Sequence, residues 1–138
     1  MLDTTDIAIL KALNHNSRIK ISHLAQQVHL TAPAVTARIA NLEQRGAIKN
    51  YTIEAGLAEM GYDRQVFIQV KLLATKQSAY SRFINANRNT LRHHYQTTGD
   101  LNYLIEGAFT TRATLKQFLD QLSHFATYRV IDILAEEF

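Results

Sequence analysis

The 138-residue chain contains no cysteine. This excludes a disulfide framework, a thiolate nucleophile and any metal site built on sulfur, and it suits a reducing compartment such as the cytoplasm. There is one proline, Pro33, and there are five glycines, with no low-complexity tract and no glycine-rich phosphate cradle. No apolar run approaches the roughly 18 residues that a membrane-spanning helix requires, so no membrane partner is expected. The opening MLDTTDIAIL lacks the basic and apolar regions of a secretory leader. No nucleophile stands at useful spacing from a base, and no carboxylates pair in a pattern. The expectation is therefore a non-enzyme with no cofactor and no metal. What is present describes a folded protein, since 46% of residues are hydrophobic and only 20% are charged.

Charge is scarce but unevenly placed. The net charge is +3, and residues 1–50 account for all of it: Lys11, Arg18, Lys20, Arg38, Arg45 and Lys49 against Asp3, Asp6 and Glu43. His15, His23 and His29 share this segment, while the remainder of the chain is balanced. A basic segment joined to a neutral one suggests that the first meets a polyanion and the second does something else.

Hydrophobic spacing separates the same two segments. Ile7, Leu10 and Leu13 predict a helix over 4–15, capped by Asp3 or Thr4, with Asp6 adding favourable charge to its first turn. Ile21, Leu24, Ala25 and Val28 predict a short second helix. After a turn at His29–Leu30, Thr31 is an N-cap, Pro33 falls in the first turn of a third helix and Gly46 ends it. Ile48, Tyr51 and Ile53 suggest a short extended piece. Beyond a linker with two glycines, QVFIQVKLLA alternates as a strand, SAYSRFINANR reads as a helix, and RHHYQTTG and NYLIEGAFT read as strands joined by a GDLN hairpin turn. TRATLKQFLDQLSHF is a helix and YRVIDILAEEF closes as a strand. The order βαββαβ predicts a ferredoxin-like sandwich with both helices on one sheet face. The other face carries apolar side chains such as Phe67, and a second copy is expected to bury it.

The third helix has an unusual outer face. With Val35 at the centre of its buried stripe, Ile39 and Leu42 lie within about 40° of it, and Pro33, Ala37, Ala40 and Gln44 lie within about 40° of the opposite side. Thr36 and Asn41 flank them. Small residues let a backbone approach closely, and threonine, asparagine and glutamine offer hydrogen bonds and methyl contacts to base edges. Such a face fits the major groove of double-stranded DNA, with Thr31 and the free N–H groups of the helix start available to a phosphate. This reading is a helix-turn-helix whose recognition helix runs from Thr31 to Gly46. Packing against another protein is the competing use of such a face.

LDTTDIAILKAL, SRIKISHLAQQVHLTAPAVTARIANLEQRGAIKNY, MGY and TTGDLNYLI together resemble the Lrp/AsnC (leucine-responsive/asparagine-operon) family of transcription regulators, over nearly the whole chain. The resemblance implies an α+β fold: an N-terminal winged helix-turn-helix followed by a C-terminal βαββαβ ferredoxin-like (RAM) domain. It implies a homodimer formed through the sheet, which in many members joins into an octamer, and an amino-acid effector held near the loop Thr98, Gly99, Asp100, Leu101 and Asn102. The expected partition is 1–50 for DNA binding, 51–64 for a linker and 65–138 for oligomerisation and effector binding. The expected DNA-binding residues are Lys20, Ser22, Thr31, Ala32, Pro33, Thr36, Ala37, Arg38, Ala40, Asn41, Gln44, Arg45 and Lys49. For Arg38, a phosphate contact competes with pairing to Glu43 or Asp6.

Four departures from the family pattern stand out. His29 replaces a customary glycine in the turn. Lys20 and His23 replace a Ser/Glu capping box, for which Ser22 is the candidate substitute. Asn102 replaces a customary aspartate, turning a carboxylate able to pair with an ammonium into a neutral amide. Asp132 stands near a customary threonine. These bear on amino-acid binding and leave DNA binding largely untouched. Two other readings are a DNA-free small-molecule-binding assembly protein and, from Arg92, His93 and His94, an enzyme similar to the sirohaem decarboxylases. Adjacent strand residues point to opposite faces, so His93 and His94 are not expected to share a metal.

Overall fold

Three short helices cannot hold themselves up in water and must bury one face each against the others. In the computed structural model, which describes all 138 residues, they do so within the unit Met1–Glu54. The helices are α1 (Thr4–His15), α2 (Ile21–Val28) and α3 (Ala32–Gln44). Ile9 of α1, Leu24 and Ala25 of α2, and Val35, Ile39 and Leu42 of α3 form the core, with Leu10, Leu13, Val28, Leu30 and Ile48 packed around it. Each large aliphatic buried in this way contributes roughly 1.5–3 kcal/mol.

The caps explain where these helices begin. Asp3 accepts the Asp6 backbone N–H at 2.8 Å, and the Asp6 side chain reaches back to the Asp3 N–H, a reciprocal capping box. Thr31 accepts the Ala34 N–H to start α3, with Pro33 in its first turn. Lys20 precedes α2 without a side-chain cap, so Ser22 does not replace the missing box. Helix α2 ends on His29 at φ 57°, in the left-handed region. The Leu30 N–H then bonds back to the Ala25 carbonyl at 3.0 Å and the Leu30 side chain joins the core, closing the turn between the two helices.

The unit Ala55–Phe138 contains β1 (Arg64–Leu72), α4 (Gln77–Ala86), β2 (Leu91–Gln96), β3 (Tyr103–Phe109), α5 (Arg112–Leu122) and β4 (Ala126–Asp132). The strands form one antiparallel sheet in the order β2-β3-β1-β4, the expected ferredoxin-like arrangement. Val66, Ile68 and Val70 of β1 meet Tyr80 and Ile84 of α4 and Leu115, Phe118 and Leu122 of α5, so both helices cover the same face. Opposite, Phe67 stands across from Glu106 on one side and Ile131 on the other.

Ile48–Ile53, expected as a short extended piece, has no strand beside it: Ile48 packs on the three-helix core, and the Tyr51 hydroxyl donates to Glu43 at 2.8 Å. Two strand ends are corrected, the first being that of β4, which stops at Asp132 instead of Phe138. The β2–β3 connection is longer than a GDLN turn. Strand β2 stops at Gln96, not Gly99; beyond it the Thr97 N–H donates to the Asn102 carbonyl at 2.7 Å and the Thr97 hydroxyl to the Leu101 carbonyl at 3.1 Å, closing a six-residue loop over 97–102. Gly99, at φ 98°, makes the reversal within that loop.

Candidate nucleic-acid interface

The helical wheel of α3 is realised in three dimensions. Val35, Ile39 and Leu42 are buried, while Ala32, Pro33, Thr36, Ala37, Ala40, Asn41 and Gln44 are all exposed. The small face is therefore a free surface of this domain, along which a groove wall can approach the backbone. Thr36 contributes less hydrogen-bonding freedom than its type suggests, because its hydroxyl donates to the Ala32 carbonyl at 3.0 Å. It retains acceptor lone pairs and a methyl group for base edges. Thr31 likewise has one lone pair engaged in capping and keeps its hydroxyl proton.

The flanking cations differ in their freedom. Lys20, Arg45 and Lys49 are exposed, as are Arg18 and Ser22, and none of them takes part in an ion pair with a side chain of this chain. Arg38 does. One of its terminal nitrogens lies 2.7 Å from Asp3 Oδ2 and 2.9 Å from Asp6 Oδ1. Of the expected alternatives, Asp6 is a partner and Glu43 is not, since Glu43 accepts from Tyr51. The Arg38 guanidinium holds the Asp3 carboxyl below its usual range, chiefly by the hydrogen bond it donates, and Asp3 and Asp6 raise Arg38 in return. Helical spacing alone does not make Asp3 and Tyr51 partners of the third helix. The Asp-x-x-Asp spacing of the α1 cap was the available signal for Asp3; Tyr51 offered none.

In the second unit the two histidines separate as strand geometry requires. His93 pairs with Glu106 on the open sheet face and stacks on Tyr95. His94 lies on the helix side, where its Nε2 is 2.8 Å from the Tyr80 hydroxyl and its ring stacks on Tyr103. No group of three or more His, Asp or Glu side chains is placed to hold a metal ion. In the 97–102 loop, Thr98, Gly99 and Asp100 are exposed, whereas Leu101 and Asn102 are half-buried and Asn102 Oδ1 is buried with no hydrogen-bond partner. No helix is long and apolar enough to cross a membrane.

A helix-turn-helix with a groove-compatible third helix, followed by a βαββαβ sandwich, defines a class of two-domain DNA-binding regulators. Residues 2–43 match the AsnC-type helix-turn-helix domain. The chain is 33% identical over 136 residues to the HTH-type transcriptional regulator LrpA of Bacillus subtilis, covering 99% of this chain and all of that one. Among solved structures, Bacillus subtilis LrpC superposes with a TM-score of 0.89 at 24% identity, over 99% of this chain and 96% of that one. A transcriptional regulator from Neisseria meningitidis in complex with L-methionine superposes with a TM-score of 0.87 at 26% identity, over 99% and 92%. The chain belongs to the Lrp/AsnC family of HTH-type transcriptional regulators.

Proposed function

We propose that α3 is the element that reads the operator. Thr36, Ala37, Ala40, Asn41 and Gln44 face base edges, Thr31, Ala32 and Pro33 bring the helix start to a phosphate, and Lys20, Ser22, Arg45 and Lys49 line the backbone contacts. The observation that carries this reading is the exposed small face of a helix whose opposite stripe is fully buried. A second copy, held through the open sheet face, supplies the matching helix for a pseudo-palindromic site. The buried, unpartnered Gln69 Oε1 of β1, on the opposite side of that strand from Ile68 and Val70, supports a covered face. The cell compartment is the cytoplasm, where the DNA is.

The test is selection of bound duplexes from a random-sequence pool, followed by titration of the selected operator and of scrambled DNA at several salt concentrations. Strong preference for the selected sequence, with a steep fall in affinity as salt rises, is expected. An Ala37→Glu variant, which puts bulk and negative charge on the small face, loses the preference. An Ala37→Glu variant as selective as the wild type overturns the assignment of α3.

An amino acid is the proposed effector, at Thr98–Asn102. The orphaned Asn102 Oδ1 in that loop calls for an N–H donor, and an α-ammonium is one; the L-methionine complex of the Neisseria regulator supports the same ligand class. Titration with L-methionine and a pool of amino acids, read by operator affinity, tests this. No response in the wild type, together with none in an Asn102→Asp variant, overturns it.

A further inference from the structure

Arg38 is the cation nearest the middle of α3, and its surroundings set it apart from the others. It sits about 60° from the centre of the buried stripe, at the edge between core and solvent. Its guanidinium is shared by two carboxylates, Asp3 Oδ2 at 2.7 Å and Asp6 Oδ1 at 2.9 Å. Asp6 is largely shielded, with 15% of its side chain exposed. Those carboxylates are themselves locked into the first turn of α1 by the capping box. The three side chains together carry a net charge of −1, which repels a phosphate instead of attracting one. The link spans 35 and 32 residues of sequence. On the other edge of the same stripe, Glu43 accepts from Tyr51, so α3 is tied along both margins while its small face stays free.

We propose that Arg38 is a positioning residue that fixes the tilt of α3 against α1, and that it does not contact DNA. The inference rests on α3 being the reading helix. Base readout tolerates errors of only about 10–20° in the groups that perform it, so loosening this tie lowers selectivity while leaving backbone attraction intact.

The experiment compares the wild type, Arg38→Met, Asp3→Asn/Asp6→Asn and the combined triple variant on the selected operator and on random-sequence DNA, across a range of salt. Asparagine caps a helix about as well as aspartate, so the double variant keeps α1. Arg38→Met is expected to weaken operator binding about tenfold with the slope of log affinity against log salt unchanged. The Asp3→Asn/Asp6→Asn variant is expected to weaken operator binding by a similar factor, although it removes two negative charges and frees a cation. The triple variant is expected to be no weaker than Arg38→Met, and binding to random DNA to fall in none of them. In a wild type that does select a sequence, a slope smaller by about one in Arg38→Met marks a lost phosphate contact and overturns the proposal. Tighter operator binding by Asp3→Asn/Asp6→Asn overturns it too. A wild type that selects no sequence overturns the reading-helix assignment, and this inference with it.

Discussion

The hydroxyl of Tyr80 lies 2.8 Å from Nε2 of His94, joining the core helix α4 to the edge strand β2. Tyr80 is 1% exposed and burial raises its pKa, so it keeps its proton; it donates to Nε2 in the His94 tautomer that carries its proton on Nδ1. Removing the acceptor strands a buried donor. His94→Leu is therefore expected to cost about 1–3 kcal/mol, and Tyr80→Phe about half as much. Urea denaturation read by tyrosine fluorescence measures both, and a Tyr80→Phe penalty larger than that of His94→Leu would contradict this assignment of donor and acceptor.

The same pair makes stability depend on pH. Burial lowers the pKa of His94 from its ordinary 6.5. The unfolded chain therefore takes up the proton first as pH falls, and this part of the stability is lost from about pH 6.5 down to the folded-state value, below which the loss is complete. The fall in melting temperature between pH 7.5 and 5.5 is expected to be smaller in His94→Gln than in the wild type. Equal falls would show that His94 titrates alike in the folded and unfolded chains.

His29 occupies the left-handed position between α2 and α3 at φ 57°. The side chain is exposed, so the residue is under backbone strain without compensating packing. His29→Gly is expected to stabilise the helical unit by about 0.5–1 kcal/mol, and His29→Val to destabilise it by about 1–2 kcal/mol. Helical circular dichroism during thermal unfolding reads both. A neutral His29→Val would mean the turn relaxes to another conformation.

Much of this was legible in the sequence. The spacing of Ile7, Leu10 and Leu13 gave α1 its bounds, and the alternation along Val66–Leu72 gave β1. The order of elements then left one sheet topology to consider. The small face of α3 was also readable, because helical periodicity places residues on faces without any tertiary information. Three things were not readable. Past the end of β2, Thr97 bonds to Leu101 and Asn102, a loop closure that residue types do not announce. Arg38 had carboxylates on either side in sequence terms, and only the crossing of α1 and α3 decided for Asp3 and Asp6 over Glu43. Tyr51 reads as part of a short extended piece because aromatic and β-branched residues favour extended structure; no strand lies beside it, and its hydroxyl ties it to Glu43 of α3.

Gly107 shows a constraint that arises only in the folded sheet. A Cβ built there would lie 2.9 Å from the Phe109 ring and 3.6 Å from Leu91. Both rings of the Phe109–Phe118 pair are buried, so the aromatic cannot swing into solvent without opening the core. Gly107→Ala is expected to cost about 1–3 kcal/mol through overpacking, with the loss confined to unfolding of residues 55–138. Hydrogen exchange of the β3 amides would locate it. An unchanged β3 exchange pattern would mean that the ring finds room elsewhere.

The open sheet face offers the most direct test of assembly. Phe67 is half-buried there, Ile131 and Tyr95 are 43% and 47% exposed, and Leu104 lies across from Gln69. In the proposed dimer a second copy covers this face by symmetry, so that every contact occurs twice. Phe67→Asp then removes two buried rings and inserts two charges at one interface. Each Phe67 ring is already half-buried in one chain, so the second copy adds about half of the roughly 1.5–3 kcal/mol that full burial is worth, and loss of the two rings is expected to raise the dimer dissociation constant by about tenfold to a hundredfold. With α3 as the proposed reading helix, a monomer carries one copy of it and cannot span both halves of an operator, so operator affinity is expected to fall in parallel while the fold of each unit persists. Sedimentation equilibrium and operator titration, performed on the same samples, measure the two effects. A Phe67→Asp protein that remains dimeric would place the subunit contact elsewhere, and a monomer that binds the operator with wild-type affinity would separate DNA reading from pairing altogether.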